Sequence, residues 1–191
     1  MYQESHTPTH PKCNVWASAW PVAKASDAAE LGTTVPGWMT EPYERARQHV
    51  PPGVPLLYAE AGLGEVGPKT TAVLALLKAA RDADSVASPD GVLFRLGPNE
   101  STNSDALAKS IAAFGAASFP VWLAVDAKVP DSSYSGIAKA CVQAGDFCRA
   151  IIFAGFSDRY CPDGRDNSNC MLDADFVAKA SFAKLQAALG P

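Results

Sequence analysis

Four short and almost wholly apolar segments alternate with helical segments along this chain, and that alternation constrains the fold most. The apolar segments are 54–59, 91–96, 120–125 and 150–155. Strands that alternate with helices predict βαβ units and a parallel sheet. Strands of this apolar character are typical of sheets covered on both faces. The expected fold class is α/β, and both a flavodoxin-like open sheet and part of a (β/α)8 barrel fit the pattern.

The intervening segments have helical signals of their own. Segment 67–83 carries apolar residues at spacings of three and four, which predicts an amphipathic helix. Asn103 or Ser104 is a candidate N-cap for a helix over 104–117. Further helices are predicted over 41–50, 134–145 and 173–189, and one more strand over 13–20.

Charge and motif content exclude several classes of partner. The 191 residues carry a formal net charge of −4, so there is no basic surplus to neutralise phosphates, and we expect neither nucleic acid nor a membrane as partner. The chain contains no GxxxxGK[ST], and its glycine-rich segment GLGEVGPK at 62–69 resembles a phosphate loop only superficially, because it lacks that spacing. We therefore expect no nucleotide and no other cofactor. One domain over 13–191 is expected, preceded by an extended or disordered segment over 1–12.

The five cysteines indicate disulfide bonds. Cys141 and Cys148 flank one short loop, Cys161 and Cys170 flank another, and Cys13 is left over. None of these spacings is typical of a zinc site, so no metal is expected. Two local disulfides are the favoured interpretation, with buried free thiols as the alternative. Disulfides predict a secreted protein. The opening residues lack the features of a signal peptide, and loss of an N-terminal part would explain both observations.

The last fifty residues carry a family resemblance. AGFSDRYC at 154–161 and MLDADFVAKASF at 171–182 resemble the end of glycoside hydrolase family 10, the endo-1,4-β-xylanases. There the eighth strand and the segment after its loop read roughly WGVTDKYSW and LLFDENY, followed by PKPAY. Cys141 and Cys148 hold the places of two cysteines before the family's eighth strand. The positions that match outright are Gly155, Asp158, Tyr160, Asp173 and Lys179.

The resemblance extends back through the chain in order. Segments 13–22, 54–65, 88–99 and 120–130 resemble the fourth, fifth, sixth and seventh strands of the family with their loops. This implies a partial (β/α)8 TIM barrel corresponding to strands 4–8 with their helices. Such a barrel normally needs about 250 residues, and strands one to three are absent here.

The catalytic carboxylates that the family requires are not in place. A retaining glycosidase needs two carboxyl groups about 5–5.5 Å apart. The resemblance implies that the acid/base position is occupied by Pro21 and the nucleophile position by Val125, or by Ala124 after a one-residue deletion. Glu60 and Asp126 are the candidate substitute acids. We expect a catalytically degenerate chain.

Candidate sugar-binding residues remain. Arg95 stands where the family has a glutamine, and Asp158, Arg159 and Tyr160 survive as a group. With Glu60, they are the predicted contacts to a β-1,4-linked polysaccharide such as xylan. Two alternatives stay open. One is an active O-glycosyl hydrolase whose missing strands come from an incomplete gene model or a second chain. The other is a non-enzymatic interaction protein that self-associates through exposed barrel edges.

Overall fold

Four parallel strands form the sheet in a computed structural model that describes residues 35, 37–98, 103–160 and 170–190. The sheet order β1-β2-β3-β4 follows the chain order, and each neighbouring pair is parallel. The predicted α/β alternation is confirmed. Four predictions fall outside the described residues: the extended or disordered segment 1–12, the strand 13–20, Pro21 at the acid/base position and Cys161 in a disulfide. The strands are β1 Leu57–Ala61, β2 Gly91–Leu96, β3 Val121–Val125 and β4 Cys148–Phe153.

Helices connect the strands and close the chain. Pro68 occupies the first turn of α2, where its missing N–H costs nothing. Asn103 caps α3, because its side chain accepts hydrogen bonds from the N–H groups of Asp105 and Ala106. Among the described residues, the helices are α1 Gly37–Arg47, α2 Pro68–Ala83, α3 Ser104–Ala116, α4 Tyr134–Ala144 and α5 Ala180–Leu189, with short 3-10 helices at Asp131–Ser133 and Gly145–Phe147.

The core lies between one face of the sheet and the helices. The rings of Phe94 on β2 and Phe114 on α3 meet edge to face, with centroids 5.1 Å apart. Burial of such apolar surface is the main favourable term in folding. We call this side of the sheet the helix-facing side. Its most buried strand residues are Val92, Phe94, Leu96, Val121, Leu123 and Val125, each at most 1% exposed.

The opposite side of the sheet, here the inner side, is covered less completely than the apolar strands predict. Ala59, Arg95 and Ile152 lie on it and are exposed, while Leu93 and Trp122 are half-buried. Four strands are half the circumference of an eight-stranded barrel, so the described strands leave inner side chains without strands opposite them. The predicted cover on both faces is therefore incomplete in the described part of the chain.

Close packing at one glycine fixes the contact between β2 and β3. A Cβ atom at Gly91 would lie 2.5 Å from the carbonyl oxygen of Pro120 and 2.5 Å from a ring carbon of Trp122. A backbone oxygen cannot move away as a flexible side chain can. Glycine is therefore the residue that the β2–β3 spacing accepts at this position.

A carboxylate joins α1 to the amino ends of β1 and β2. Asp90 accepts hydrogen bonds from the N–H of Leu56 at 2.6 Å and from Arg47 at 2.5 Å. Tyr43 donates to the carbonyl oxygen of Leu57 at 3.3 Å. Burial, followed by the nearby Asp90 charge, raises the pKa of Tyr43 to about 12. This end of the sheet is opposite the edge where barrel enzymes bind substrates.

The C-terminal helix is shorter than predicted. The sequence pattern predicts a helix over 173–189, but α5 covers only Ala180–Leu189. The Asp173 carboxylate accepts the N–H groups of Asp175 and Val177, both at 2.9 Å, and so holds a turn in place of the first helical turns. An antiparallel bridge between Leu172 and Ala178 completes this turn.

Disulfide bonding at the sheet agrees with the cysteine pattern. Cys141 on α4 and Cys148 on β4 form a disulfide, with Cα atoms 5.2 Å apart. Cys170 is also disulfide-bonded, and its partner lies outside the described residues. The pairing of Cys170 with Cys161 stays a prediction.

Candidate functional site

The carboxyl ends of all four strands lie at one edge of the sheet, because the strands are parallel. In (β/α)8 barrels this edge holds the active site. The predicted site residues lie there on four separate segments. These are Glu60 near the end of β1, Arg95 near the end of β2, Asp126 after β3, and the loop 154–160 after β4.

The strand register determines which of these side chains face the inner side. Partners in a parallel pair share a face of the sheet, and consecutive residues alternate between faces. One row joins Ala61, Arg95, Ala124 and Ile152, all on the inner side. The neighbouring row lies on the helix-facing side and consists of Glu60, Phe94, Leu123 and Ile151.

Glu60 therefore points away from the inner side of the sheet. Its carboxylate accepts hydrogen bonds from Lys69 at 2.8 Å, from the N–H of Ala61 at 3.1 Å and from the hydroxyl of Tyr58 at 3.2 Å. The side chain is 17% exposed. Three donors and partial burial are typical of a structural carboxylate that joins a strand to the following helix.

The loop between β1 and α2 is built around this carboxylate. Gly62 has φ +71, a left-handed conformation that favours glycine, and the Lys69 side chain packs beside it. Burial is the main cause that raises the pKa of the Tyr58 hydroxyl, and the neighbouring Glu60 charge adds to it. The hydroxyl thus stays protonated and available to donate to Glu60.

Val125, which the sequence resemblance predicts at the position of the family's nucleophile, is buried. Val125 shares a row with Leu96 and Phe153 on the helix-facing side and is 1% exposed. Ala124, the alternative position, lies on the inner side but carries only a methyl group. Neither side chain can attack a sugar.

Asp126 is the predicted substitute acid that lies on the inner side. Its N–H donates to the carbonyl oxygen of Leu96 at 2.9 Å, so the ladder continues one residue past β3. Alternation from Val125 then places its exposed side chain on the inner side. One carboxylate oxygen accepts the N–H of Lys128 at 2.9 Å in a local turn.

Glu60 and Asp126 do not form a glycosidase pair. They belong to β1 and β3, which are separated by β2, and neighbouring strands lie about 4.8 Å apart, so the two segments are roughly 10 Å apart. Their side chains also lie on opposite faces of the sheet. A retaining mechanism requires carboxyl groups about 5–5.5 Å apart on either side of one sugar.

The remaining predicted contacts separate into two groups. Arg95 is exposed on the inner side at the end of β2. Asp158 and Arg159 lie on the loop after β4, where Asp158 pairs with Lys179 at 2.7 Å and Arg159 lies 3.6 Å from Asp175. The Asp158 pair ties the loop to the segment before α5.

An aromatic cluster at the same loop was missed by sequence reasoning. The rings of Phe156, Tyr160 and Phe176 have centroids 6.0–6.4 Å apart, and their planes differ by only 21–35°. We call these three residues the aromatic triad. Phe176 lies sixteen or more positions from the other two, so no local pattern joins them. The turn signal Asp-Ala-Asp at 173–175 is the one feature that could have marked the site.

The described part of the chain contains neither a metal-binding cluster nor a membrane-spanning helix. No cluster of three or more histidine, cysteine, aspartate or glutamate side chains in this part of the chain is arranged to hold a metal ion. None of the described helices combines the length and apolar character required to cross a membrane.

The fold matches solved glycoside hydrolase family 10 xylanases. The enzyme of Bispora sp. MEY-1, solved with xylobiose, has a TM-score of 0.64 and 19% identity, covering 81% of this chain and 54% of that one. The glycosylated enzyme of Gloeophyllum trabeum has a TM-score of 0.62 and 20% identity, covering 81% of this chain and 52% of that one. Penicillium canescens XylE has a TM-score of 0.57 and 23% identity, covering 71% of this chain and 46% of that one. No protein-family model and no curated protein matches the sequence.

These similarities define the class of fold. The chain has a xylanase-type (β/α) barrel fold and spans about half the length of the solved xylanases that it matches. It fits a partial domain of the family 10 barrel type, as its final segments predict. Identities of 19–23% show the fold, and the activity of this chain has to be argued from its own residues.

Proposed function

We propose that this chain is a xylanase-type domain of carbohydrate metabolism that binds a β-1,4-linked polysaccharide and does not hydrolyse it. The observation that carries the proposal is the placement of the two candidate acids. Glu60 is engaged by three donors on the helix-facing side, whereas Asp126 lies on the inner side two strands away. Pro21 and Val125 supply no carboxyl group at the positions aligned with the family's acids.

Binding is proposed because the edge of the sheet still offers groups that sugars use. Arg95 is exposed on the inner side, and Arg159 and Tyr160 are exposed on the loop after β4. Guanidinium groups donate to hydroxyl oxygens, and aromatic side chains combine an apolar ring face with a polar rim. The solved xylanases of this fold supply the substrate class, since the Bispora enzyme was solved with xylobiose.

The test combines binding with turnover. We expect the full chain to be retarded in native gels that contain soluble xylan and to sediment with insoluble xylan. We also expect no release of reducing ends beyond the buffer rate. Reducing-end release that Asp126→Asn abolishes would overturn the catalytic half of the proposal. Mobility unaffected by any β-1,4-glycan would overturn the binding half.

A second candidate function is a self-associating interaction protein, and the inner side of the sheet favours it. Ala59, Arg95 and Ile152 are exposed there, and in the described sheet β1 and β4 each have one unpaired edge. Exposed apolar surface and free strand edges promote association. Strands supplied by a second chain would occupy the same surface. Sedimentation equilibrium decides this: a stable dimer that ignores glycans would support the second candidate.

Secretion is part of the first proposal. The Cys141–Cys148 disulfide and the bonded Cys170 are compatible with an oxidising compartment. Free-thiol titration of protein isolated from its source without reductant would test this. Full reactivity of Cys141 and Cys148 would contradict it.

A further inference from the structure

We propose that the aromatic triad is a carbohydrate-binding platform, which stacks on the C–H faces of pyranose rings in a β-1,4-linked polysaccharide. The ligand class rests on the proposed function. The location rests on the geometry of Phe156, Tyr160 and Phe176 alone.

The first observation is exposure. Phe156 is 55% exposed, Tyr160 64% and Phe176 43%, although the three rings lie next to one another. Large aromatic side chains normally bury most of their surface, and a contiguous exposed apolar patch marks a binding site. Val177, 61% exposed, extends the same patch.

The second observation is the orientation of the rings. The core pairs Phe94–Phe114 and Tyr134–Phe153 cross at 74° and 65°, the edge-to-face arrangement of packed interiors. The rings of the aromatic triad differ by only 21–35°. Phe156 and Phe176 are stacked and Tyr160 is tilted against both, so the exposed parts of the three rings form one continuous aromatic surface. Spacings of 6.0–6.4 Å between centroids are comparable to the width of one sugar ring.

The third observation is the backbone at Phe176. Its φ of +64 lies in the left-handed region, which a bulky side chain adopts at a cost. The Asp173 carboxylate holds this turn by accepting the N–H groups of Asp175 and Val177. A residue such as asparagine would fit this conformation better. The ring is thus held on the surface in a conformation that stability alone does not favour.

Polar groups border the rings where sugar hydroxyls would lie. The Arg159 guanidinium lies over the Phe176 ring at 5.2 Å from its centroid and 3.6 Å from the Asp175 carboxylate. Asp175 is 84% exposed. A polyhydroxylated chain uses both donors and acceptors.

The platform also lies at the appropriate edge of the sheet. Phe156 follows the end of β4 by three residues, and Gly155 with φ +81 turns the chain there. Bridges from Leu172 to Ser157 and to Ala178 bring Phe176 to the same place. A polysaccharide on the platform would lie beside the carboxyl ends of the strands.

The experiment measures the affinity of the full chain for soluble xylan by affinity electrophoresis. Phe156→Ala, Tyr160→Ala and Phe176→Asn are each expected to weaken binding about tenfold, because each removes one stacking face. Phe176→Asn is also expected to raise the melting temperature, which separates loss of binding from loss of fold.

Val142→Ala is the matched control, because it removes a similarly exposed apolar side chain, 54% exposed on α4, that is not part of the aromatic triad. Normal binding by all three ring variants would overturn the platform and leave polysaccharide binding elsewhere on the chain intact. Failure of the wild-type chain to bind any β-1,4-glycan would overturn both this inference and the proposed function. Self-association abolished by Phe176→Asn, without glycan binding, would identify a protein contact surface instead and would also overturn the platform.

Discussion

Replacement of Glu60 by alanine distinguishes a structural carboxylate from a catalytic one. The substitution removes the acceptor for Tyr58, Ala61 and Lys69 at once. Each of the first two hydrogen bonds is worth about 1 kcal/mol net. The Lys69 ammonium is 39% exposed, so its pair with Glu60 adds about 0.5–1 kcal/mol at most. The expected loss in the free energy of unfolding is about 2–3 kcal/mol, or roughly 4–12 °C in melting temperature for a chain of this size.

Urea unfolding followed by circular dichroism measures this loss. Glu65→Ala is the matched control, since it removes an exposed glutamate from the same loop and is expected to change stability by less than about 0.5 kcal/mol. A double-mutant cycle of Glu60→Gln with Lys69→Met should give a coupling energy of about 0.5–1 kcal/mol.

The opposite result would refute the structural role of Glu60. Acids at active sites are commonly held in positions that stability does not favour, so their removal leaves a protein as stable or more stable. A Glu60→Ala variant at least as stable as the wild type, together with loss of a measurable xylanase activity, would return Glu60 to the catalytic candidates.

Three further predictions concern stability. Replacing both Cys141 and Cys148 by alanine should cost about 2.5 kcal/mol by chain entropy. A melt of the wild-type chain in reductant should show at least this loss, because reductant also breaks the disulfide of Cys170, and equal melting temperatures with and without reductant would contradict the prediction. Gly91→Ala should cost at least about 2 kcal/mol through steric overlap, whereas Gly97→Ala, with open space around it, should be neutral in the same assay. The native pKa of Tyr43 is raised from 10 to about 12, so the unfolded chain ionises first, and the contribution of Tyr43 to stability should fall by up to about 1.4 kcal/mol per pH unit between pH 10 and 12. Urea titrations across that window test this, and a Tyr43→Phe variant with an unchanged slope would contradict it.

The apolar pattern was sufficient to predict the sheet. Segments 91–96 and 120–125 read as buried strands, because parallel strands need apolar side chains; the first is β2 and the second contains all of β3. Asn103 was one of two predicted caps and is the residue that caps α3. These features depend on local sequence, which a single chain reveals.

Long-range geometry was not predictable in the same way. The face on which Glu60 lies depends on its register with Phe94 on β2, and the other residues of β1 are too uniformly apolar for an alternation to reveal that face. Segment 173–179 has a helical composition, but the Asp173 carboxylate competes successfully for its backbone N–H groups. The aromatic triad needs Phe176 to return to the loop after β4, which is a tertiary contact.

The central claim is that no acid of this chain attacks a β-1,4-linked sugar, and an aryl β-xylobioside tests it most directly. Its activated leaving group departs without a general acid, so the assay reports the nucleophile alone. We predict aryl release at the buffer rate, the same for the wild-type chain and for Asp126→Asn. Release above that rate by the wild-type chain, lost in Asp126→Asn, would contradict the account.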